Sequence, residues 1–277
     1  MLKLYKFQSP QVLGLSLSLR ENLEDLTPEK LAAFRTAFAR LMQIRDNRGY
    51  NHIAGFHGIP GFYCWHHGNR TRRPRPSRPL RLFFPWHRAY VYWLEQHLKD
   101  QVEYVTIPWW DWSSELSRRN GLPVAFSEEF IDGEPNPLFK FRMNAPNSNP
   151  PLDEDTVRDP GDPSELPERQ TVAEILALPD FDDFDLMAEN FLHDNIHVWV
   201  GGSMSLVDTA AYDPIFWFHH CMVDRLWYLW QVRYGDSTGM EDMLDEVLEP
   251  FPLRVRDVLS IRDLGYDYAV TQMVINT

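Results

Sequence analysis

His193 and His197 stand four residues apart in Leu192-His193-Asp194-Asn195-Ile196-His197. On a helix that spacing puts both imidazoles on one face, one turn above the other. A further pair follows in Asp213-Pro214-Ile215-Phe216-Trp217-Phe218-His219-His220, ahead of Cys221 and Asp224. Two nitrogens from one helix and a third from another make a three-nitrogen site with open coordination positions. An earlier stretch offers a similar set in His57, Cys64-Trp65-His66-His67 and Pro85-Trp86-His87-Arg88. Three histidines plus three predict two metals side by side, so the elements that carry them must converge on one interior point.

The composition allows such an interior. With 277 residues and 44% hydrophobic content, the chain can bury a substantial core in one large domain. Aromatic residues make up 14% of it and ten are Trp, which suits a rigid, heavily packed interior around a pocket. The formal charge of −13 and pI near 5.2 argue against nucleic acid or an anionic membrane as partner. Acid is concentrated over 127–185, and Arg70, Arg72, Arg73, Arg75, Arg78 and Arg81 form a basic run. Both read as solvated loop. Two cysteines cannot build a disulfide framework. Residues 1–20 lack a charged region followed by an apolar stretch, and no run of 18 apolar residues exists. The chain therefore reads as cytoplasmic, although export on a partner protein would leave the same sequence.

The periodicity predicts four main helices. Thr27 as N-cap and Pro28 at the first helical position open one, with Leu31, Phe34, Phe38, Leu41 and Met42 on its apolar face. Another runs from Trp86 through His87, Tyr90, Val91, Leu94, Glu95 and Leu98. A third spans 184–199 and stops at Gly201-Gly202, and a fourth starts near Pro214 and continues through Trp230. Residues 105–112 read as a short extended segment, and 113–179 as long surface loops with little regular structure. The expected fold is mainly α, a four-helix bundle enclosing a dinuclear metal site, with long irregular loops and few short strands.

These residues carry a family resemblance. Asp213-Pro214-Ile215-Phe216 with His220 and Asp224 resembles the copper B signature of tyrosinases, catechol oxidases and molluscan haemocyanins. His57-Gly58, Cys64-x-His66 and Phe83-Phe84-Pro85-Trp86-His87-Arg88 resemble the copper A region. Leu264-Gly265-Tyr266-Asp267-Tyr268 resembles the Tyr-x-Tyr motif that closes the catalytic domain in plant and fungal enzymes. The resemblance covers most of the chain and implies one tyrosinase-like catalytic domain over 1–277, with no C-terminal shielding domain. It implies two copper ions, each held by three imidazoles, with dioxygen between them. Carried over by position, the copper A ligands are His57, His66 and His87, and the copper B ligands are His193, His197 and His220. Neutral imidazoles suit copper in both oxidation states and leave the positive charge on the metals.

Further roles follow from the same resemblance. The ligand position four residues before Asp224 selects His220 and leaves His219, like His52 and His97, as a hydrogen-bonded core residue. Spacing from Cys64 favours His66, while a ligand directly before Gly-Asn would be His67. His66 and His87 lie further apart than in most of the family, with the Arg- and Pro-rich stretch 68–79 as the insertion. Cys64 is expected to form a thioether with His66, and Cys221 to be buried and inert. Glu189 and Asp194 are the expected catalytic carboxylates, taking the phenol proton, with Asp185 as the alternative to Glu189. Phe216 is expected against ligand imidazoles, and Val198 and Val207 at the pocket rim.

The implied activity is oxidation of o-diphenols to o-quinones with dioxygen, together with hydroxylation of monophenols. The alternatives are a catechol or o-aminophenol oxidase without monophenolase activity, or a haemocyanin-like dioxygen carrier. Partners are a small phenol, dioxygen and a copper-delivery protein. A hydrolytic dizinc site fits poorly, because no bridging carboxylate sits at ligand spacing.

Overall fold

A computed structural model describes residues 17–66 and 81–269. His67 and the Arg- and Pro-rich stretch 68–79 lie outside the described residues. In chain order the elements are β1 (Ser18–Arg20), α1 (Pro28–Gln43), α2 (Tyr50–Ala54), α3 (Phe83–Lys99), α4 (Glu115–Asn120), α5 (Val124–Ser127), β2 (Phe130–Ile131), β3 (Glu134–Pro135), α6 (Arg169–Leu176), α7 (Phe181–Met187), a π-helical turn (Ala188–His193), α8 (Asp194–Val200), α9 (Ile215–Tyr234) and β4 (Tyr266–Tyr268). Short 3-10 turns connect several of them.

Local chemistry accounts for the boundaries. The Thr27 hydroxyl accepts a hydrogen bond from the Lys30 amide at 3.3 Å, and Pro28 occupies the first turn of α1, where no amide is needed. Phe34, Ala37, Phe38 and Leu41 form the buried stripe of that helix. The second main helix begins at Phe83, earlier than Trp86, because Phe83 and Phe84 are themselves buried and Pro85 falls within the first turn. Asp180 caps α7 by accepting from the amides of Asp182 and Asp183. The helical run ends at Gly201, where φ is 68° and a Cβ would lie 2.4 Å from the Asp159 carbonyl oxygen, so only glycine fits.

Two expectations are corrected. The run over 184–199 is not one α-helix, since a π-turn interrupts it between Met187 and Asp194. The segment 113–179 is more regular than its composition suggests, holding α4, α5, the β2–β3 hairpin and α6. Its helices are short and Ser114 caps α4, features that a periodicity reading of long windows misses.

The main helices pack as expected around one core. Helix α9 is buried from Ile215 to Trp227, polar residues included, and packs on α3, which also carries α1. A helix buried all round belongs at the centre of a fold. Strands β1 and β4 pair in parallel, Ser18 opposite Tyr266 and Arg20 opposite Tyr268, joining distant parts of the chain.

Candidate metal centre

His57 follows α2, His66 follows it in an irregular segment, and His87 sits in the second turn of α3. One ring nitrogen from each lies within 4.8 Å of the others. His57 Nε2 and His66 Nε2 are 3.2 Å apart, and His87 Nε2 is buried without a hydrogen-bond partner among the described residues. The second group holds His193 from the π-turn, His197 from α8, and His219 and His220 from α9, again within 4.8 Å. His197 Nε2 and His220 Nε2 are 3.3 Å apart, and His193 Nε2 has no partner. The two groups face each other, with the His87 and His220 rings stacked at 4.4 Å.

The outer nitrogens explain this orientation. His57 Nδ1 is 3.2 Å from the Val207 carbonyl, His87 Nδ1 is 2.8 Å from that of Phe83, and His197 Nδ1 is 2.7 Å from that of Met204. A carbonyl only accepts, so in each case the proton sits on Nδ1 and the Nε2 lone pair points inward. Burial, followed by the mutual effect of neighbouring imidazoles, lowers the pKa of His57, His87, His193 and His220 well below the usual value. They are neutral at pH 7. Converging neutral lone pairs with no donor between them fit a metal ion, and outer-nitrogen partners of this kind orient histidine ligands.

His66 differs. Burial works against its charge, but the Cys64 sulfur and then the Glu189 carboxylate outweigh burial and raise it to about 10. Glu189 Oε1 lies 3.4 Å from His66 Nδ1, and both side chains are buried. Cys64 is buried and carries a free thiol in side-chain contact with this imidazole.

The carboxylates separate into two positions. Asp194 Oδ1 lies 3.1 Å from His193 Nδ1, and Asp194 lines an opening of 80 Å³ together with His57, His66, His193, His197, Val198 and Val207. Glu189 does not line that opening; it sits behind His66. Asp185, also buried, is likewise absent from its walls. A carboxylate oxygen of Asp194 and ring nitrogens of His66 and His193 lie within 4.8 Å of one another, although no bridging carboxylate was expected from the spacing. Because it meets the outer nitrogen of His193, it orients that ring rather than bridging two metals.

Val198, 70% exposed, and Val207, half-buried, both line the opening. Phe216 packs on His220 at 4.0 Å and His57 at 4.9 Å, but it is fully buried and forms no part of the opening, so it backs the ligands instead of lining a substrate pocket. His219 is a buried core residue, as expected. It stacks on His193 at 5.3 Å, away from the first group. Cys221 is buried, donates to the Ile107 carbonyl at 3.1 Å, and is pushed up to about 12, chiefly by burial.

Several functional residues escaped the sequence reading. Met204, Ser205 and Ala210 line the opening, and Arg158 clamps Asp213 with Nε and Nη2 at 2.6 to 3.0 Å. Asp213 in turn accepts from the Ile215 amide at 3.0 Å and starts α9. Nothing periodic marks the loop residues. The Phe83 carbonyl was readable, being one helical turn before His87.

Comparisons agree with this geometry. Residues 47–233 match the common central domain of tyrosinase. Hemocyanin G-type, units Oda to Odg, from Enteroctopus dofleini is 33% identical over 262 residues, covering 84% of this chain, which spans 8% of that relative's length. A tyrosinase from Streptomyces antibioticus is 29% identical over 248 residues, covering 80% of this chain and 85% of its own. A functional unit from octopus hemocyanin superposes with a TM-score of 0.73 at 29% identity, over 90% of this chain and 67% of that one. Signature, geometry and similarity agree: the chain belongs to the tyrosinase family of type-3 copper proteins.

Proposed function

We propose that this protein is a phenol oxidase, converting o-diphenols to o-quinones with dioxygen and hydroxylating monophenols. The observation that carries the reading is the opening over His57, His66, His193 and His197, rimmed by Val198 and Val207 and floored on one side by Asp194. At 80 Å³ it is smaller than the roughly 150 Å³ cavity that encloses benzene, so a phenol would enter edge-first, its ring against the valines. Two coppers, held by His57, His66 and His87 and by His193, His197 and His220, would supply the two-electron chemistry with dioxygen.

The protein's own contribution is orientation and proton handling. Carbonyl acceptors hold three imidazoles in one tautomer, and Asp194 and Glu189 fix His193 and His66. Asp194 is the carboxylate positioned to take the hydroxyl proton of an entering phenol, whose pKa is about 10 in water. Glu189 acts through His66 as a positioning residue. The same reading includes a thioether between the Cys64 sulfur and a ring carbon of His66, its S–H and C–H hydrogens and two electrons passing to dioxygen to give hydrogen peroxide, and this bond would lock that ring's rotamer.

A second reading, a dioxygen carrier, is favoured by the hemocyanins at 31–33% identity beside tyrosinases at 28–29%. Turnover of 4-methylcatechol by the copper-loaded protein separates the two. Asp194→Asn should reduce tyramine hydroxylation by about 10²-fold, the lower range for general-base assistance, with a smaller loss on 4-methylcatechol. Glu189→Gln should lower both alike. No turnover of either substrate by the parent would leave the carrier, and equal losses in Asp194→Asn would remove the base role.

A further inference from the structure

A cleft of 1010 Å³ lies outside the metal centre, many times larger than the opening over the histidines. One wall carries Phe56, Tyr63 and Trp93, all half-buried. Phe56 and Tyr63 meet edge to face at 6.1 Å, leaving ring faces and edges for a flat guest. Other parts of the lining are held in place before any ligand arrives. Asn51 donates to the Asn144 carbonyl at 2.7 Å and accepts from its amide at 2.9 Å, and Tyr212 at the base donates to the Ile59 carbonyl at 2.8 Å. Large, preformed, mostly apolar clefts with a few polar groups are where small molecules bind.

The charge at the rim narrows the guest. Asp46 is clamped by Arg48, with Nε at 3.0 Å and Nη2 at 2.6 Å, and its charge is cancelled there. Arg45 also lines the cleft and has no ion pair or hydrogen bond among the described residues. Burial lowers the pKa of His52, so that ring is neutral at pH 7. One uncompensated cation therefore shares the cleft with three aromatic side chains, in a protein whose overall charge is −13.

We propose that this cleft is a second binding site, separate from the histidines, for planar aromatic carboxylates, with the ring against Phe56, Tyr63 and Trp93 and the carboxylate at Arg45. The test is calorimetric titration of the copper-loaded protein with 2-naphthoate, which has no phenol to oxidise. Saturating azide keeps the probe off the metals. Its uncharged counterpart, 2-methoxynaphthalene, measures the apolar contribution alone. One equivalent of naphthoate should bind in azide, about two- to fivefold tighter than the ether, the range for an exposed ion pair. Arg45→Gln should erase that difference, and Asn47→Trp, at an exposed rim position, should block both probes. Catechol turnover should be unchanged in both variants. Binding abolished by azide would place the naphthoate at the metals and overturn the proposal. Equal affinity for the two probes, or unaltered binding in Asn47→Trp, would overturn it as well.

Discussion

His219 and His220 are adjacent in sequence and both buried in the second group, but a helix turns about 100° per residue, so their rings leave α9 in different directions. His220 faces His87 across the centre, while His219 stacks behind His193 and has no ring of the first group among its contacts in the described residues. Removing His220 should therefore take copper from the protein and removing His219 should not. Metal analysis of His220→Ala is expected to show a fall from two coppers per chain toward one, with His219→Ala retaining two. The same parent preparation should be two hydrogens lighter by intact mass, persistently after reduction, if Cys64 is bonded to His66. Copper loss in His219→Ala would make it a ligand. An unshifted mass with Cys64 alkylated in the unfolded holoprotein would remove the thioether. The two histidine groups were legible from spacing and resemblance. The division of labour between Asp194 and Glu189 was not, because which imidazole a carboxylate meets depends on a ring from elsewhere in the chain.

At the scale of the element, the π-turn Ala188–His193 is the departure from regular helix that bears on the site. One residue more per turn lets Glu189 reach His66 while His193 and His197 still share a face. Such turns behave as single-residue insertions in an α-helix and recur at functional sites. Asn190 is suited to deletion, since its side chain bonds only locally, to the Leu186 carbonyl at 2.9 Å. Deleting it should restore an α-helix and swing Glu189 by about 100° relative to His193. Circular dichroism should stay helical while copper at the first group is held less tightly, read as a lower copper content after dialysis against chelator. Retention of both coppers with parental affinity would show that Glu189 has no part in holding His66. The histidine spacing predicted a continuous helix here, since four-residue steps after His193 are blind to the turn before it.

Across the whole molecule, the two ends of the described fold meet over the helices that carry the ligands. Arg20 of β1 donates to Glu95 at 2.9 Å and to Asp224 at 3.1 Å. Arg88, next to His87, donates to Asp224 at 2.5 Å, and Tyr266 and Tyr268 of β4 donate to the same carboxylate at 2.7 and 2.5 Å. Burial would raise the Asp224 carboxyl, but Arg88 and Arg20 outweigh it and hold the pKa below the usual value. A depressed carboxyl stabilises the fold above the unfolded value of about 3.9, and that contribution is lost as pH falls through the folded value. Asp224→Asn leaves two buried guanidiniums short of a counter-charge, and urea denaturation at pH 7 should show a loss of about 3–5 kcal/mol. Its stability should also fall less steeply with acid than that of the parent. A variant as stable as the parent would mean that Glu95 on Arg20, and Gln231 with the Val258 and Leu259 carbonyls on Arg88, suffice to hold the arginines.

The sequence by itself determined the two histidine groups, the helices that bear most of them and the Tyr-x-Tyr motif, because each is written in local spacing or a compact motif. Tertiary structure alone decided which nitrogen of His57 faces inward, since the Val207 carbonyl that accepts from its Nδ1 lies 150 residues further along the chain. It also decided that Phe216 backs the ligands, that Asp194 and not Glu189 reaches the opening, and that Arg158 holds Asp213 at the start of α9. Each of these depends on a partner distant in sequence, and short-range periodicity carries no information about where such a partner will be placed.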